Sequence, residues 1–245
     1  MSRAFWAAEM RCAADLHIHS CLSPCADDDM TPCNIAGMAA LKGLRLIAVT
    51  DHNSARNLPA AWAAAEAAGL SLVPGIELTT REEVHLLAYF ADVDAALAFG
   101  DEIYRHLPDI PNRPQLFGEQ RVMDERDRLV AAEGRLLISA LDLTVDQLAG
   151  RIARLGGAAV PAHVNRGANG ILQALGFVPP GIPFSAIEAW RGLPMPPGTP
   201  ARLPVLHSSD AHRLGDILEA EVEYDLPTQD APGFLQWLRQ MQRTD

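Results

Sequence analysis

The 245-residue chain lacks the long apolar segments that mark membrane or secreted proteins. Its most apolar stretches run under ten residues or are broken by charges such as Glu66, so none can cross a bilayer as a helix. The N-terminal segment carries Glu9 and Arg11, where a secretory signal peptide needs an unbroken apolar region. These absences predict a cytoplasmic protein without a membrane partner.

Several catalytic signatures are missing as well. No glycine-rich phosphate loop follows the first predicted strand, so a nucleotide-binding open sheet is unsupported. GxSxG is absent, and no convincing Ser-His-Asp or Cys-His pattern replaces it. Lysines are very few, and Lys42 lies in a helix-like run. This scarcity disfavours an amidohydrolase that would depend on a carboxylated lysine near a strand end.

Basic residues are outnumbered by acidic ones. Lysine and arginine total 20 against 31 aspartates and glutamates, for a formal net charge of −11 and a pI of about 5.1. A strongly acidic surface repels phosphate backbones, so nucleic acid is disfavoured as a partner. Bound metal ions would add positive charge that this count ignores.

Short apolar runs alternate with helical patterns along the chain. Helical spacing is found at Ile35–Leu41, Pro59–Ala68 and Val145–Leu155, the last with Thr144 as a plausible N-cap. Repeated strand–helix units predict an α/β fold with a parallel sheet, either a barrel or, alternatively, an open doubly wound sheet. The candidate strands are Ala14–Ile18, Leu44–Thr50, Leu70–Ile76, Val84–Phe90, Ala158–Val164, Ala186–Trp190, Pro204–His207 and Val222–Leu226.

Residues 100–142 break this rhythm, because they are richer in charge and proline. We interpret them as an insertion after the fourth strand of a single domain that spans residues 1–245. A lid over the site and a plain surface excursion are equally compatible with this composition.

Histidines and carboxylates gather at the predicted strand boundaries. His17 and His19 are two residues apart, so a strand points both side chains to one side, where they can hold a metal ion. Six short segments at strand boundaries carry these residues. Five of the six lie at the carboxyl ends of predicted strands, the face on which barrel enzymes build their sites. The segments contribute His17 and His19, His52, Glu77, His85, His163, and Asp210 with His212.

The ligand types narrow the chemistry. Imidazoles with carboxylates suit zinc, manganese or iron rather than calcium. Six segments supply too many ligands for one tetrahedral ion, which predicts two or three divalent ions that share a carboxylate. Water between such ions becomes hydroxide near neutral pH and can attack phosphorus, so no protein nucleophile is required.

The motifs DLHIHS, TDH, GIE, PAH and SDAH occur here in an order that resembles the PHP family, named for polymerase and histidinol phosphatase. The resemblance runs from about residue 13 to residue 218. It implies a distorted barrel of seven strand–helix units that binds up to three metal ions and hydrolyses phosphoesters. It also implies three ligand sets: His17, His19, Glu77 and Asp210; Glu77, His85 and His163; and His52 and His212 with one residue from the loop after His19.

That last ligand departs from the family pattern. Many members carry aspartate five residues after the second histidine of the first motif, where this chain has Pro24. Cys25 follows, at the position where some phosphatase members place a histidine. Asp27 and Asp29 are rival ligands, and an incomplete third site is the remaining alternative. A thiolate would favour zinc or iron over manganese.

Other polar residues have predicted roles around this centre. Arg166 is the candidate for gripping a substrate phosphate bidentately, with help from Asn165. Asp210, His212 and Arg166 form the candidate catalytic set, with Asp210 as one possible proton donor. Asp15 and Asp51 could orient imidazoles or bond nearby backbone. Residues read as merely structural or solvated are Glu188, His207 and His106.

The sequence thus predicts a metal-dependent phosphatase or phosphoesterase. Its substrate would be a phosphomonoester or a small phosphodiester, for example a nucleotide, a sugar phosphate or an amino-alcohol phosphate. A PHP-type DNA endonuclease or exonuclease and a non-catalytic metal-binding regulatory module are the alternatives.

Overall fold

The computed structural model describes residues 10–242, so Glu9 lies outside the described residues. The strands are β1 (Met10–Ile18), β2 (Leu46–Val49), β3 (Ser71–Thr79), β4 (His85–Tyr89), β5 (Arg121–Met123), β6 (Leu129–Ala132), β7 (Ala158–Pro161), β8 (Ile187–Glu188), β9 (Val205–Leu206) and β10 (Glu223–Leu226). The main sheet has six of them in the order β10-β1-β2-β3-β4-β7, and two further strand pairs are separate from it.

The first three strands form the expected parallel core. β1 pairs with β2, and β2 pairs with β3, each in parallel register. All four residues of β2 are buried, as in a sheet that is covered on both faces. The carboxyl ends of these strands therefore open on one side of the sheet, which places His19, His52 and Glu77 together.

The prediction of a wholly parallel sheet is wrong at β4. This strand runs antiparallel to both β3 and β7, with Thr79 opposite His85 and Leu86 opposite Pro161. Residues 80–84 join β3 to β4, and so short a connection permits a hairpin but no crossover helix. The reversal matters for function, because it brings the start of β4, and hence His85, to the edge where β3 carries Glu77.

The remaining strands curl away from the main sheet. Ala159 bridges to Phe184 beside β8, β8 pairs with β9 in parallel, and Ala211 bridges back to Ile18. The result is a mixed α/β fold whose curled sheet presents Asp210 and His212 to the end of β1.

Helices cover the sheet, and their ends follow familiar capping rules. Thr144 and Gln147 form a capping box at the start of the helix Val145–Arg154, which confirms the predicted N-cap at Thr144. In residues 10–242 every helix is too short or too polar to cross a membrane. The helices are α1 (Pro32–Leu41), α2 (Leu58–Ala67), α3 (Val93–Tyr104), α4 (Pro114–Phe117), α5 (Val145–Arg154), α6 (Ile171–Leu175) and α7 (Ala231–Met241), with one 3-10 turn at Leu214–Asp216.

Residues 100–142 are partly regular structure. α3 continues through Gly100 to Tyr104, and the later part holds α4 and the β5–β6 hairpin. The amide of Arg121 donates to the carbonyl of Cys21, 2.9 Å away, and the Asn57 side chain donates to the Arg121 carbonyl and accepts from the Met123 amide. The hairpin thus supports the loop after β1. Its action as a lid stays a prediction.

Candidate metal centre

The structure brings the ligand residues predicted from six segments into one buried cluster. The Nε2 atoms of His17 and His19 are 3.1 Å apart, and each lies 3.4 Å from Oδ1 of Asp210. Glu77 faces the same point, with 3.4 Å to His17 Nε2 and 3.2 Å to His19 Nε2. These four side chains are the first ligand set that the family resemblance implies.

Glu77 lies at the centre of the cluster, with further imidazoles on both sides. Its Oε1 is 2.9 Å from His85 Nδ1 and 3.4 Å from His163 Nε2, and its Oε2 is 3.1 Å from His52 Nδ1. Nevertheless both carboxylate oxygens and His52 Nδ1 are buried without a well-aligned hydrogen bond. Buried polar atoms are almost always satisfied, so these atoms have the chemistry of ligands that converge on cations.

A third group contains Cys25. One ligand atom from each of His19, Cys25, His52 and His212 lies within 4.8 Å of the others. Asp27 instead has Oδ2 3.4 Å from the Arg213 guanidinium, and Asp29 is exposed outside this group. Of the rival ligands in the loop, Cys25 is therefore the one that geometry favours.

Charges inside the cluster are strongly coupled. Burial would lower the pKa of His19, but the nearby carboxylates of Asp210 and Glu77 outweigh it and raise the pKa to about 9. Burial and the charge of His19 lower the pKa of His212 to about 4. For Glu77, burial is outweighed by the surrounding imidazoles, which hold its pKa well below the ordinary value. Glu77 is thus ionised, as a carboxylate that binds a metal must be.

Glu188 supports the cluster from β8. Its Oε1 is 3.0 Å from His17 Nδ1, and its Oε2 accepts a 2.8 Å bond from the amide of His163. In the neutral tautomer whose Nδ1–H donates to Glu188, Nε2 of His17 would face Glu77 and Asp210 as a ligand atom. The sequence analysis interpreted Glu188 as a purely structural residue and therefore missed this contact. The one available signal was a carboxylate inside the buried run AIEAW.

Ser23, which the sequence did not single out, lies between Asp51 and His19. Its Oγ donates to Asp51 Oδ1 at 2.7 Å, and lies 2.8 Å from His19 Nδ1. Asp51 thus acts on the imidazole through a serine. Asp15 accepts instead from the amides of Ser209 and Leu218, the backbone alternative that the sequence left open.

Two cluster residues have unusual backbone conformations. His163 has φ of 31° and Asp210 has φ of 55°, both in the left-handed region that non-glycine residues rarely adopt. Such strain persists where surrounding contacts hold it, and it is concentrated at functional sites. Here His163 Nε2 lies 3.4 Å from Glu77 Oε1, and Asp210 Oδ1 lies 3.4 Å from the Nε2 atoms of His17 and His19.

A cavity of about 380 Å³ opens above the cluster. Arg166 lines it, with Nη1 3.2 Å from Asp210 Oδ2 and its guanidinium carbon 4.8 Å from the centroid of the Trp190 ring. Asn165 bonds the backbone of Trp190 and Leu193 instead. The other lining residues are His52, Glu77, His85, His163, Gly167, Ala168, Asn169, Asp210 and His212, all outside residues 100–142.

Three other residues lie away from the cluster. His106 pairs with Asp142 at 2.7 Å, while His207 has Nδ1 2.8 Å from the Ala189 carbonyl. Lys42 donates to the carbonyls of Gly215 and Ile217 at the end of α1. A hydrolase that depends on a carboxylated lysine would need that lysine at its metal centre. Among the described residues, the cluster contains no lysine.

Comparison with known proteins agrees with the family resemblance. A family model described as "PHP domain" matches residues 15–135. A 3',5'-nucleoside bisphosphate phosphatase from Chromobacterium violaceum is 36% identical over 90 residues, which are 35% of this chain and 30% of that protein. The chain thus matches less than a third of this curated relative.

Solved structures show the same fold over nearly the whole chain. A lesion-specific endonuclease from Pyrococcus furiosus superimposes with a TM-score of 0.62 at 18% identity, over 93% of this chain and 55% of its own. A protein described as an amidohydrolase from Chromobacterium violaceum, with bound sulfate and no metal, gives 0.57 at 21% identity, over 94% and 96%. At these identities the likeness concerns the fold alone.

Proposed function

This chain carries a PHP domain, and on that premise we propose that it is a metal-dependent phosphoesterase. The observation that carries the proposal is the buried carboxylate of Glu77, which is surrounded by imidazole nitrogens and whose oxygens lack aligned hydrogen-bond donors. Buried polar atoms without hydrogen bonds are costly, and cations bound among them would offset that cost. Divalent ions bound there would activate water and neutralise charge on a phosphoryl group.

The ligand sets are part of the proposal. His17, His19, Glu77 and Asp210 would hold one ion, and Glu77, His85 and His163 a second. His52, His212 and Cys25 would hold a third, which their mutual approach supports. Zinc, manganese and iron all suit imidazole and carboxylate, and the Cys25 sulfur favours zinc or iron.

The chain's own side chains supply the remaining chemistry. Arg166 is exposed at the cavity and would bind a phosphate oxygen, because its guanidinium matches phosphate geometry. Asp210 lies within reach of His17, His19 and Arg166. Despite burial, His17 and His19 hold its pKa below the ordinary value, so it would act as an ionised ligand and a proton acceptor. His212 lines the cavity beside it. Asn165 would act by holding Trp190 in place.

We also propose that the chain forms a closed barrel. The bridges from Ala159 to Phe184 and from Ala211 to Ile18 support closure of the curled sheet into a distorted barrel of seven units. We infer that residues 1–245 act as one PHP domain, with residues 100–142 as an insertion that supports the loop carrying Cys25.

The substrate would be small. The net charge of −11 disfavours a polyanion, and a cavity of about 380 Å³ suits one phosphorylated metabolite. The phosphatase relative acts on nucleoside bisphosphates, so nucleotide phosphomonoesters are the first substrates to test, followed by sugar phosphates, amino-alcohol phosphates and small diesters.

The decisive experiment combines metal analysis with hydrolysis. Protein purified without chelator should hold two or three divalent ions per chain, and should release nitrophenol from p-nitrophenyl phosphate faster than from its bis ester. His19→Ala should lose both metal and activity. His106→Ala is the matched control, since His106 pairs with Asp142 away from the cluster.

The alternatives give different results. Cleavage of DNA without hydrolysis of small esters would support an endonuclease. Metal binding without hydrolysis of any ester would support the non-catalytic metal-binding module. Less than one ion per chain under every loading condition would overturn the metal centre itself.

A further inference from the structure

We propose that Trp190, together with Arg166, forms a platform for the planar base of a nucleoside phosphate. The inference rests on the proposed phosphoesterase function and narrows its substrate to esters that carry an aromatic base. It makes Trp190 the specificity-determining residue of the site.

Trp190 is an exposed indole beside the metal cavity. Its relative exposure is 42%, and Leu193 and Met195, on the same loop, are exposed by 40% and 38%. A single exposed apolar residue is ordinary on a protein surface, but this indole lies against Arg166, a residue that lines the cavity. The organic part of a substrate would leave the cavity at this point, because Arg166 lines the cavity and also covers the Trp190 ring.

The loop is held in place before any ligand arrives. The Asn165 side-chain oxygen accepts from the Trp190 amide at 2.8 Å, and its Nδ2 donates to the carbonyls of Trp190 and Leu193 at 2.8 and 3.0 Å. Binding to a fixed surface loses less conformational entropy than binding to a mobile one. Two consecutive residues, Asn165 and Arg166, thus fix the backbone and the ring of Trp190.

An anionic, a cationic and an aromatic side chain follow one another outward from the metal cluster. The carboxylate of Asp210 contacts the Arg166 guanidinium at 3.2 Å, and the guanidinium carbon lies 4.8 Å from the Trp190 centroid. A phosphate at the centre would meet Arg166, and its organic substituent would meet the indole and the guanidinium plane. Both surfaces stack with aromatic bases, and such stacking accepts any base.

The base could belong to a free nucleotide or to a single-stranded DNA end. The acidic balance of the chain, −11 overall, disfavours the polyanion, so we assign the platform to a free nucleotide.

The first test compares substrates with and without a base. Metal-loaded full-length protein is assayed with AMP, adenosine 3',5'-bisphosphate and ribose 5-phosphate. In Trp190→Ala, the ratio of kcat/KM for either adenine nucleotide to that for ribose 5-phosphate should fall about tenfold, as expected for one lost stacking contact. Trp190→Phe should keep most of the preference. Trp62→Ala is the matched control, since Trp62 is 41% exposed on α2, away from the cavity.

Equal losses on all three substrates would overturn the proposal, because Trp190 would then only support Arg166. A single-stranded oligonucleotide preferred over AMP, with that preference removed by Trp190→Ala, would overturn the assignment to a free nucleotide.

A binding measurement separates this inference from the proposed function. AMP should quench the intrinsic tryptophan fluorescence of the protein more than ribose 5-phosphate does, and Trp190→Phe should abolish that difference. If the protein hydrolyses no phosphoester, the proposed function fails, and the quenching still decides whether the platform exists. Equal quenching by both ligands would overturn the platform.

Discussion

Oε1 of Glu188 lies 3.0 Å from Nδ1 of His17, although 171 residues separate them in the chain. The contact fixes the imidazole from the side opposite Glu77, and the second oxygen of Glu188 holds the His163 amide. One buried carboxylate therefore contacts two histidines of the proposed ligand sets.

Glu188→Gln should leave a folded protein with a weakened metal centre. The amide keeps the size of the side chain but can no longer accept through two charged oxygens, so His17 loses its fixed tautomer and orientation. We expect metal affinity or activity to fall roughly 10- to 100-fold, the usual effect of losing such a supporting contact. Metal titration with circular dichroism checks this, and an unchanged affinity would contradict the positioning role.

Cys25→Ser should remove one metal ion and leave the others in place. Cys25 groups with His19, His52 and His212, and a hydroxyl is a far poorer ligand for a soft site than a thiolate. Metal content should fall by about one ion per chain. Cys33→Ser is the control, because Cys33 is exposed and its sulfur lies 3.6 Å from the Glu125 carbonyl. Full metal content in Cys25→Ser would return the third ligand to Asp27, Asp29 or another group.

Ser23→Ala and Asp51→Asn should have effects that are not additive. Asp51 accepts from the Ser23 hydroxyl, which in turn orients His19 Nδ1, so either change breaks the same chain of hydrogen bonds. Each single variant should bind metal more weakly, and the double variant should be little worse than the poorer single one. Fully additive losses, measured by calorimetric metal titration, would show that the two residues act separately.

Metal affinity should rise with pH between about 6.5 and 9. His19 in the metal-free protein has its pKa raised to about 9, so below that pH a proton competes with the metal for its nitrogen. Despite burial, the carboxylates of Glu188 and Glu77 raise the pKa of His17, and Glu77 raises that of His163. Displacement of one or more protons therefore predicts a gain in affinity of at least about tenfold per pH unit over this window. His212, with a pKa of about 4, is already neutral there and adds no dependence. A flat profile from metal titrations at pH 6.5, 7.5 and 8.5 would be inconsistent with this account.

The raised pKa of His19 also makes the stability of the metal-free protein fall as pH rises. A raised pKa of His19 stabilises the folded state fully below pH 6.5, and this contribution is lost as pH rises through about 9. Chelated protein should therefore become less stable to urea from pH 7 to 9 than metal-loaded protein does. A difference that stays constant with pH would contradict this linkage.

Much of the fold and the ligand inventory could be predicted from local patterns. Each of the eight candidate strands overlaps an observed strand, because a short apolar run that ends in polar residues is recorded in consecutive positions. The His-x-His pair at His17 and His19 follows from strand geometry alone. By contrast, the reversal at β4 depended on how residues 80–84 connect two strands, which the strand–helix rhythm did not reveal.

Contacts between segments were decided only by the tertiary structure. Glu188 behind His17, Ser23 between Asp51 and His19, and Trp190 under Arg166 each join residues whose separation in sequence has no periodic signature. The sequence by itself determined which side chains could bind metal, since ligand chemistry belongs to residue type. Which of them meet, and what holds them, depends on packing across the sheet, because only the folded chain brings strand ends from six segments to one point.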